Sequence, residues 1–171
     1  MSSIKKIKNI TNLKRKIVCL TAYSKPLAKI LDNYCDIILM GDSVATAFYG
    51  MKNTREIKLD TMINHAISVR KSIKKSLLVF DMPFNTYRNI KEAKKNVKKV
   101  LLKTNCDAVK LESNGKNFKI LKTLTKSGIK VMGHIGYTPQ YKKKFSPQGL
   151  KHREEIKLMN EAKNIEDAGA F

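Results

Sequence analysis

The sequence predicts an α/β fold built on a parallel β-sheet, with residues 1–171 in one domain. Short apolar segments alternate with longer segments in which apolar residues recur every three to four positions. The first pattern is typical of buried strands, and the second of helices that pack one face against a sheet. No linker of low complexity divides the alternation, and 42% hydrophobic residues are enough to form a core. The pattern therefore favours right-handed crossovers around a parallel sheet.

The first half of the chain contains two predicted strands and two predicted helices. The first strand covers 16–23, and Ser24 lies at the N-cap position of a helix predicted over 25–33. The second strand, 35–40, is an apolar run of the kind that is buried on both faces. A longer helix is predicted from about residue 60 to residue 75, because apolar residues recur there at helical spacing.

The second half of the chain repeats the alternation three times. Strands are predicted at 77–80, 108–111 and 129–132, and helices at 90–104, 116–127 and 154–168. Gly128 follows the second of these helices, at a position where glycine commonly ends a helix.

Two parallel architectures fit five strand–helix units: an open doubly wound sheet and a (β/α)8 TIM barrel. The first loop has no G-x-G-x-x-G motif, which argues weakly against a dinucleotide-binding sheet. A complete barrel typically needs about 250 residues. We therefore expect an incomplete (β/α)8 barrel that lacks its C-terminal strands, with a sixth strand due to begin at Ala170-Phe171.

Composition narrows the classes of protein that the chain can represent. Apolar runs are too short to cross a bilayer, and the N-terminus lacks the apolar stretch of a secretory signal. Three cysteines without C-x-x-C spacing indicate neither a disulfide framework nor a zinc site. We expect a cytoplasmic protein that does not bind membranes.

The net charge of +21 comes mainly from lysine, since only five of the 35 basic residues are arginine. The lysines are spread over nearly every segment and are not interleaved with aromatic residues. A solvated surface is the favoured interpretation, and no nucleic acid is expected as a partner. A non-catalytic, basic nucleic-acid-binding module is the least favoured alternative.

Polar and charged residues follow the apolar part of four successive predicted strands. Because function gathers at the carboxyl ends of parallel strands, we expect these side chains to share one site. Converging carboxylates are suitable ligands for Mg2+, and a nearby lysine offsets negative charge on a small acid. Taken singly, each aspartate is better explained as a cap of a helix or turn. The residues are Asp42 and Ser43, Asp81, Lys110 and Glu112, and His134.

Other histidines and cysteines give weaker signals. His65 lies inside a predicted helix and is interpreted as a packing residue, and His152 as surface loop. Cys106 has no evident base beside it and is not expected to be a nucleophile.

Several of these segments resemble ketopantoate hydroxymethyltransferases in sequence and in order along the chain. Each match is weak alone, but the series is specific. The matching segments are LTAY (20–23), MGDS (40–43), HA and VR (65–66 and 69–70), FDMPF (80–84), VKLE (109–112) and GHIGYTPQ (133–140).

The resemblance implies a (β/α)8 barrel that uses Mg2+ and 5,10-methylenetetrahydrofolate. The family transfers a one-carbon unit to 3-methyl-2-oxobutanoate and forms 2-dehydropantoate in pantothenate biosynthesis. By this resemblance Asp42 and Asp81 are metal ligands, Glu112 is a further ligand or an acid that contacts the ligands, and His134 supports the site. Asp42, Ser43, Asp81 and Lys110 bind the substrate, and homo-oligomers are expected.

The resemblance also places the family's general base, a glutamate on the sixth strand, beyond Phe171, so no catalytic base is expected within the chain. The chain departs from the family's pattern at Ser24, Ala45 and Leu150. An alternative is another Mg2+-dependent 2-oxo acid enzyme, of the phosphoenolpyruvate mutase and isocitrate lyase type. The segment 133–140 argues against that alternative.

Overall fold

Five parallel strands form the sheet in the computed structural model, which describes residues 14–142 and 144–171. Their order in the sheet is their order in the chain, and each strand pairs only with its sequence neighbours among the five. The strands are β1 (Cys19–Thr21), β2 (Ile37–Met40), β3 (Leu77–Asp81), β4 (Ala108–Glu112) and β5 (Val131–His134).

Within the described residues, six helices connect or follow the strands, together with one 3-10 turn at Thr54–Glu56. They are α1 (Lys25–Leu31), α2 (Val44–Ala47), α3 (Leu59–Arg70), α4 (Ile90–Thr104), α5 (Phe118–Lys126) and α6 (His152–Asp167). No helix within the two described stretches is long and apolar enough to cross a membrane.

The sheet buries different side chains on its two faces. Ile38, Phe80 and Val109 belong to the large core that also includes the apolar faces of the helices. Alternate positions, such as Ile37 and Val79, form a second, smaller cluster on the opposite face. The sequential strand order and this inner cluster are features of a barrel wall and not of a doubly wound sheet, in which the order reverses at a switch point.

All five predicted strands and all five predicted helices are observed, but α2 and the 3-10 turn were not predicted, and most bounds shift by a few residues. Two differences are the most informative. The first strand was predicted over 16–23, but only Cys19–Thr21 pairs with β2. The helix predicted to reach residue 75 ends at Arg70. It ends there because the backbone N–H groups of residues 74–76 donate to the carboxylate of Asp32 at 2.8–3.1 Å instead of continuing the helix.

Gly133 in β5 allows α6 to approach the sheet closely. A Cβ atom at this position would overlap the side chain of Ile165, which is buried on α6. Phe171, beyond α6, donates its N–H to Val131 O at 2.9 Å, and its carbonyl accepts from Gly133 N at 3.0 Å. This bonding is that of a parallel strand beside β5 and agrees with the sixth strand predicted at this point.

Candidate metal and substrate site

Charged side chains from β2, β3 and β4 meet at the carboxyl end of the sheet. Asp42 follows β2, Asp81 ends β3, and Lys110 and Glu112 lie two residues apart in β4. All four are buried, with no more than 8% of any residue exposed. Strand register aligns Asp81 with Lys110 and Glu112 with the half-buried His134 of β5. The structure thus brings together the residues that the strand ends predict.

Asp81 and Lys110 form a buried ion pair. Lys110 Nζ lies 2.5 Å from Asp81 Oδ2, and the backbone N–H of Asp42 lies 3.5 Å from the same oxygen. Asp81 Oδ1 is buried and has no hydrogen-bond partner among the described residues. Burial raises the pKa of Asp81 even though Lys110 acts to lower it. A carboxylate oxygen that is buried without a donor is well suited to bind a cation.

Asp42 is the second carboxylate of the site. Its Oδ2 accepts a hydrogen bond from Gln140 Nε2 at 2.8 Å. Burial, followed by the charge of Asp81, raises the pKa of Asp42 to about 7. Because the Asp42 backbone N–H lies 3.5 Å from Asp81 Oδ2, the two aspartates are neighbours that repel one another when both are ionised. A divalent cation would relieve that repulsion.

Glu112 and His134 face each other across neighbouring strands. Glu112 Oε2 accepts the backbone N–H of Gln140 at 3.0 Å. Glu112 Oε1 lies 3.5 Å from His134 Nδ1, and both atoms are buried without a hydrogen-bond partner among the described residues. This spacing supports an ion pair when the imidazole is protonated, but it is too long for a good hydrogen bond.

Ser43 is held by residues that come from β1 and α3. Its hydroxyl lies 2.7 Å from the Tyr23 hydroxyl. The Tyr23 carbonyl lies 2.7 Å from His65 Nδ1, and His65 Nε2 lies 2.8 Å from the Tyr49 hydroxyl. His65 is therefore a packing residue that supports the loop after β1, in agreement with its interpretation from sequence.

The remaining histidine and cysteine lie away from these carboxylates. His152, predicted in a surface loop, is instead the first residue of α6, and it is exposed. Burial raises the pKa of Cys106 to about 11, which keeps its thiol protonated at neutral pH. Because the thiolate is the reactive form, Cys106 is expected to be a poor nucleophile.

Gln140 joins the site without having been assigned a role from sequence. It lies in the loop after β5, only 1% exposed, and contacts Asp42, Glu112 and the loop that contains Tyr87. Its place within the segment 133–140 is the one sequence signal that points to it. Tyr87 gives no comparable signal.

The donor set fits a cation that takes few protein ligands. Among the described residues no group of three or more His, Cys, Asp or Glu side chains has the arrangement of a metal centre. Mg2+ commonly uses one or two carboxylates and completes its shell with water and substrate oxygens. Asp42 and Asp81, with the unpartnered Oδ1, match that requirement. Glu112 contacts Gln140 instead, and its role as a ligand stays a prediction.

A cavity of about 390 Å3 adjoins the site on the side of Glu112. It lies between the loops after β4 and β5 and residues 154–161 of α6. Its lining carries both charges, with Lys142 and Lys157 opposed by Glu154 and Glu161.

A family model described as ketopantoate hydroxymethyltransferase matches residues 1–171. The chain belongs to this family. The 3-methyl-2-oxobutanoate hydroxymethyltransferase of Pelagibacter ubique is 48% identical over 169 residues, which are 98% of this chain and 66% of that relative. The chain thus spans slightly less than two thirds of this hydroxymethyltransferase.

Solved structures of other enzymes share the fold of this hydroxymethyltransferase family member. Phosphonopyruvate hydrolase in complex with oxalate and Mg2+ matches 99% of the chain with a TM-score of 0.75 at 13% identity, over 61% of its own length. A 2,3-dimethylmalate lyase of the phosphoenolpyruvate mutase/isocitrate lyase superfamily matches 99% with a TM-score of 0.69 at 12% identity, over 60% of its own length. These likenesses support the incomplete (β/α)8 barrel.

The three positions at which sequence analysis finds a departure from the family's pattern have different surroundings. Ser24 is the N-cap residue of α1, although its side chain makes no capping hydrogen bond. Ala45 is buried in α2, next to Ser43 and Asp42. Leu150 is 77% exposed and precedes α6.

Proposed function

We propose that this chain forms the metal- and keto-acid-binding part of a 3-methyl-2-oxobutanoate hydroxymethyltransferase. The one-carbon donor is 5,10-methylenetetrahydrofolate, and the product is 2-dehydropantoate. Family membership supports the reaction. The single observation that carries the site is the buried pairing of Asp42 with Asp81, in which Asp81 Oδ1 has no donor among the described residues.

Asp42 and Asp81 would hold Mg2+ at the open end of the barrel wall. A bound Mg2+ would supply a Lewis acid at the 2-oxo group, where negative charge develops when C3 loses its proton. Lys110 pairs with Asp81, which opposes the rise that burial causes in the pKa of Asp81, and it adds positive charge for the substrate carboxylate. Ser43, fixed by Tyr23, donates a hydrogen bond to the same acid. The substrate C3 would then form its new bond to the methylene carbon of the folate, after water has added to that carbon and both of its C–N bonds have broken. The products that leave are 2-dehydropantoate and tetrahydrofolate.

Glu112 and His134 complete the side of the site next to the cavity. Glu112 holds the loop after β5 through Gln140, and His134 Nδ1 lies 3.5 Å from Glu112 Oε1 on the same side of the site. The adjoining cavity offers space for part of the folate. The base that removes the C3 proton is assigned to no residue of this chain.

Exchange of the C3 proton of 3-methyl-2-oxobutanoate for deuterium tests this function. We would compare this chain with a chimera that continues after Phe171 with the remaining third of the Pelagibacter ubique relative. The chimera should show Mg2+-dependent exchange, and the chain alone should be far slower because it lacks the base. Equal rates in the two proteins would contradict the assignment of the base outside the chain.

A second candidate is a 2-oxo acid enzyme of the phosphoenolpyruvate mutase and isocitrate lyase type, favoured by the shared fold. Supplying the chimera with 2-oxo acids in the presence and absence of the folate separates the two. Formation of 2-dehydropantoate only with the folate supports the transferase. Turnover of a 2-oxo acid without folate supports the second candidate.

A further inference from the structure

We propose that Gln140 is a positioning residue that orients Asp42 for the cation and ties the loop after β5 to the metal site. The inference rests on the proposed function, because it assumes that Asp42 is a ligand. It goes beyond that function by giving a role to a residue that contacts neither the cation nor the substrate. Four hydrogen bonds of one buried residue carry it.

The side-chain amide of Gln140 uses all of its principal hydrogen-bonding atoms. Nε2 donates to Asp42 Oδ2 at 2.8 Å and to the Met82 carbonyl at 2.9 Å. Oε1 accepts from the Tyr87 hydroxyl at 2.5 Å. Both N–H donors therefore meet acceptors, and the carbonyl meets a donor.

These partners permit only one orientation of the amide. Rotating it by half a turn would place Oε1 against the Asp42 carboxylate and the Met82 carbonyl, both of which accept. Gln140 is 1% exposed, so water cannot replace the lost bonds. The amide is consequently a fixed donor, and Asp42 Oδ2 is held at a fixed place.

Asp42 and Asp81 are held in the same manner by different donors. Gln140 occupies Asp42 Oδ2, and Lys110 occupies Asp81 Oδ2 at 2.5 Å. Among the described residues Asp81 Oδ1 has no hydrogen-bond partner, and the hydrogen bond from Gln140 engages only Oδ2 of Asp42. Each carboxylate thus keeps one oxygen for a cation, which suits monodentate binding to Mg2+. Groups that orient metal ligands in this way strongly influence metal affinity.

The backbone of Gln140 adds a link to β4. Its N–H donates to Glu112 Oε2 at 3.0 Å, within a turn in which the Thr138 carbonyl accepts from residues 141 and 142. One residue of the loop after β5 therefore bonds to groups at the carboxyl ends of β2, β3 and β4. The same residue therefore fixes both the position of this loop and the orientation of the Asp42 carboxylate.

Binding of Mn2+, an oxygen-seeking substitute for Mg2+, tests the proposal directly on this chain. Titration followed by electron paramagnetic resonance would give its Kd for the parent and for Gln140→Met, which keeps the side-chain length and removes both N–H donors. We expect Gln140→Met to bind Mn2+ about 10- to 100-fold more weakly. Gln148→Met is the matched control, because Gln148 lies in the same loop and bonds to Lys142 and Ser146. Its Kd should equal that of the parent.

Two further variants separate positioning from loss of stability. Gln140→Asn keeps an amide but withdraws it from Asp42 by one methylene, so it should also weaken Mn2+ binding. This variant provides the test if Gln140→Met fails to fold. Tyr87→Phe loosens the same network but keeps both N–H donors of Gln140. It should lower the melting temperature and change the Kd for Mn2+ by less than about threefold.

The outcomes distinguish this proposal from the proposed function. Mn2+ binding by the parent with an unchanged Kd in folded Gln140→Met or Gln140→Asn would overturn the role of Gln140 alone. An equal loss in Tyr87→Phe would also overturn it, because the effect would then be general loosening. No binding by the parent would overturn the metal site, and this proposal with it.

Discussion

At the scale of single residues, Lys110 keeps the buried charge of the site balanced. Replacing it by Met would leave Asp81 buried without its cation partner. We expect Lys110→Met to lower the free energy of unfolding by about 3–5 kcal/mol at neutral pH, measured by urea denaturation.

The control for Lys110 is a lysine whose ion pair is exposed. Lys99 pairs with Asp60 at 2.6 Å, and the Asp60 side chain is 70% exposed. Lys99→Met should therefore cost no more than about 1 kcal/mol. If the two variants lost the same stability, Asp81 would not depend on Lys110.

Asp42 makes stability depend on pH when no divalent cation is present. Its carboxyl ionises near pH 7 in the folded chain but near its ordinary pKa of 3.8 when unfolded. Between these values the folded state binds more protons than the unfolded state, so the free energy of unfolding falls as pH rises. The fall amounts to at most about 4 kcal/mol from Asp42.

Urea denaturation at pH 4.5 and at about pH 7.5 in the presence of a chelator measures this dependence. Asp42→Asn should reduce the difference between the two pH values, and Asp60→Asn, which alters an exposed carboxylate, should leave it nearly unchanged. A difference as large in Asp42→Asn as in the parent would show that Asp42 does not titrate in this range.

At the scale of elements, the contact of β5 with α6 depends on the missing side chain of Gly133. Gly133→Ala would force Ile165 away and should cost about 1–3 kcal/mol of stability. In a double-mutant cycle, the same change should cost much less when Ile165 is already Ala. Additive effects in thermal unfolding would mean that the two residues are not in contact.

The elements that sequence predicted best are those fixed by local chemistry. Helix α4 was predicted with its observed bounds, because its apolar face is regular and Asn89 caps it by accepting the Glu92 N–H at 2.9 Å. Helix α3 was predicted too long because Asp32, 42 to 44 residues away, draws the following N–H groups into its own hydrogen bonds. A local pattern carries no information about such a partner.

The residues of the site differ in the same way: some could be predicted from local sequence, and others depend on contacts between distant residues. Asp42, Asp81, Lys110 and Glu112 were found from sequence because the ends of parallel strands meet at one edge of a sheet. The hydrogen bond between Gln140 and Asp42 spans 98 residues and depends on how a loop folds back over that edge. Strand periodicity does not encode it, so the donor that orients Asp42 emerged only from the structure.

At the scale of the whole molecule, the net charge of +21 places many lysines at distances where they repel one another. Self-repulsion of this kind destabilises the compact state, and salt screens it. We expect the melting temperature to rise by several degrees as NaCl is raised from about 20 mM to about 300 mM. This change shortens the Debye length from about 20 Å to about 6 Å. A constant or falling melting temperature would show that the ion pairs outweigh the repulsion.

The same salt series addresses the basic nucleic-acid-binding alternative. Specific engagement of nucleic acid requires measurable affinity at physiological salt, with a steep dependence on salt concentration. We expect none, since the lysines are dispersed over the chain. Retention of duplex or single-stranded DNA on a filter at about 150 mM salt would favour that alternative.

The bond between residues 42 and 140 has a consequence for synthesis on the ribosome. Both aspartates leave the exit tunnel long before Gln140 does, since translation adds about 5–20 residues per second. During that interval the nascent polypeptide contains both aspartates, but Asp42 lacks the amide that orients it. Capture of metal by a growing chain should accordingly begin only after the fifth strand and its following turn have emerged.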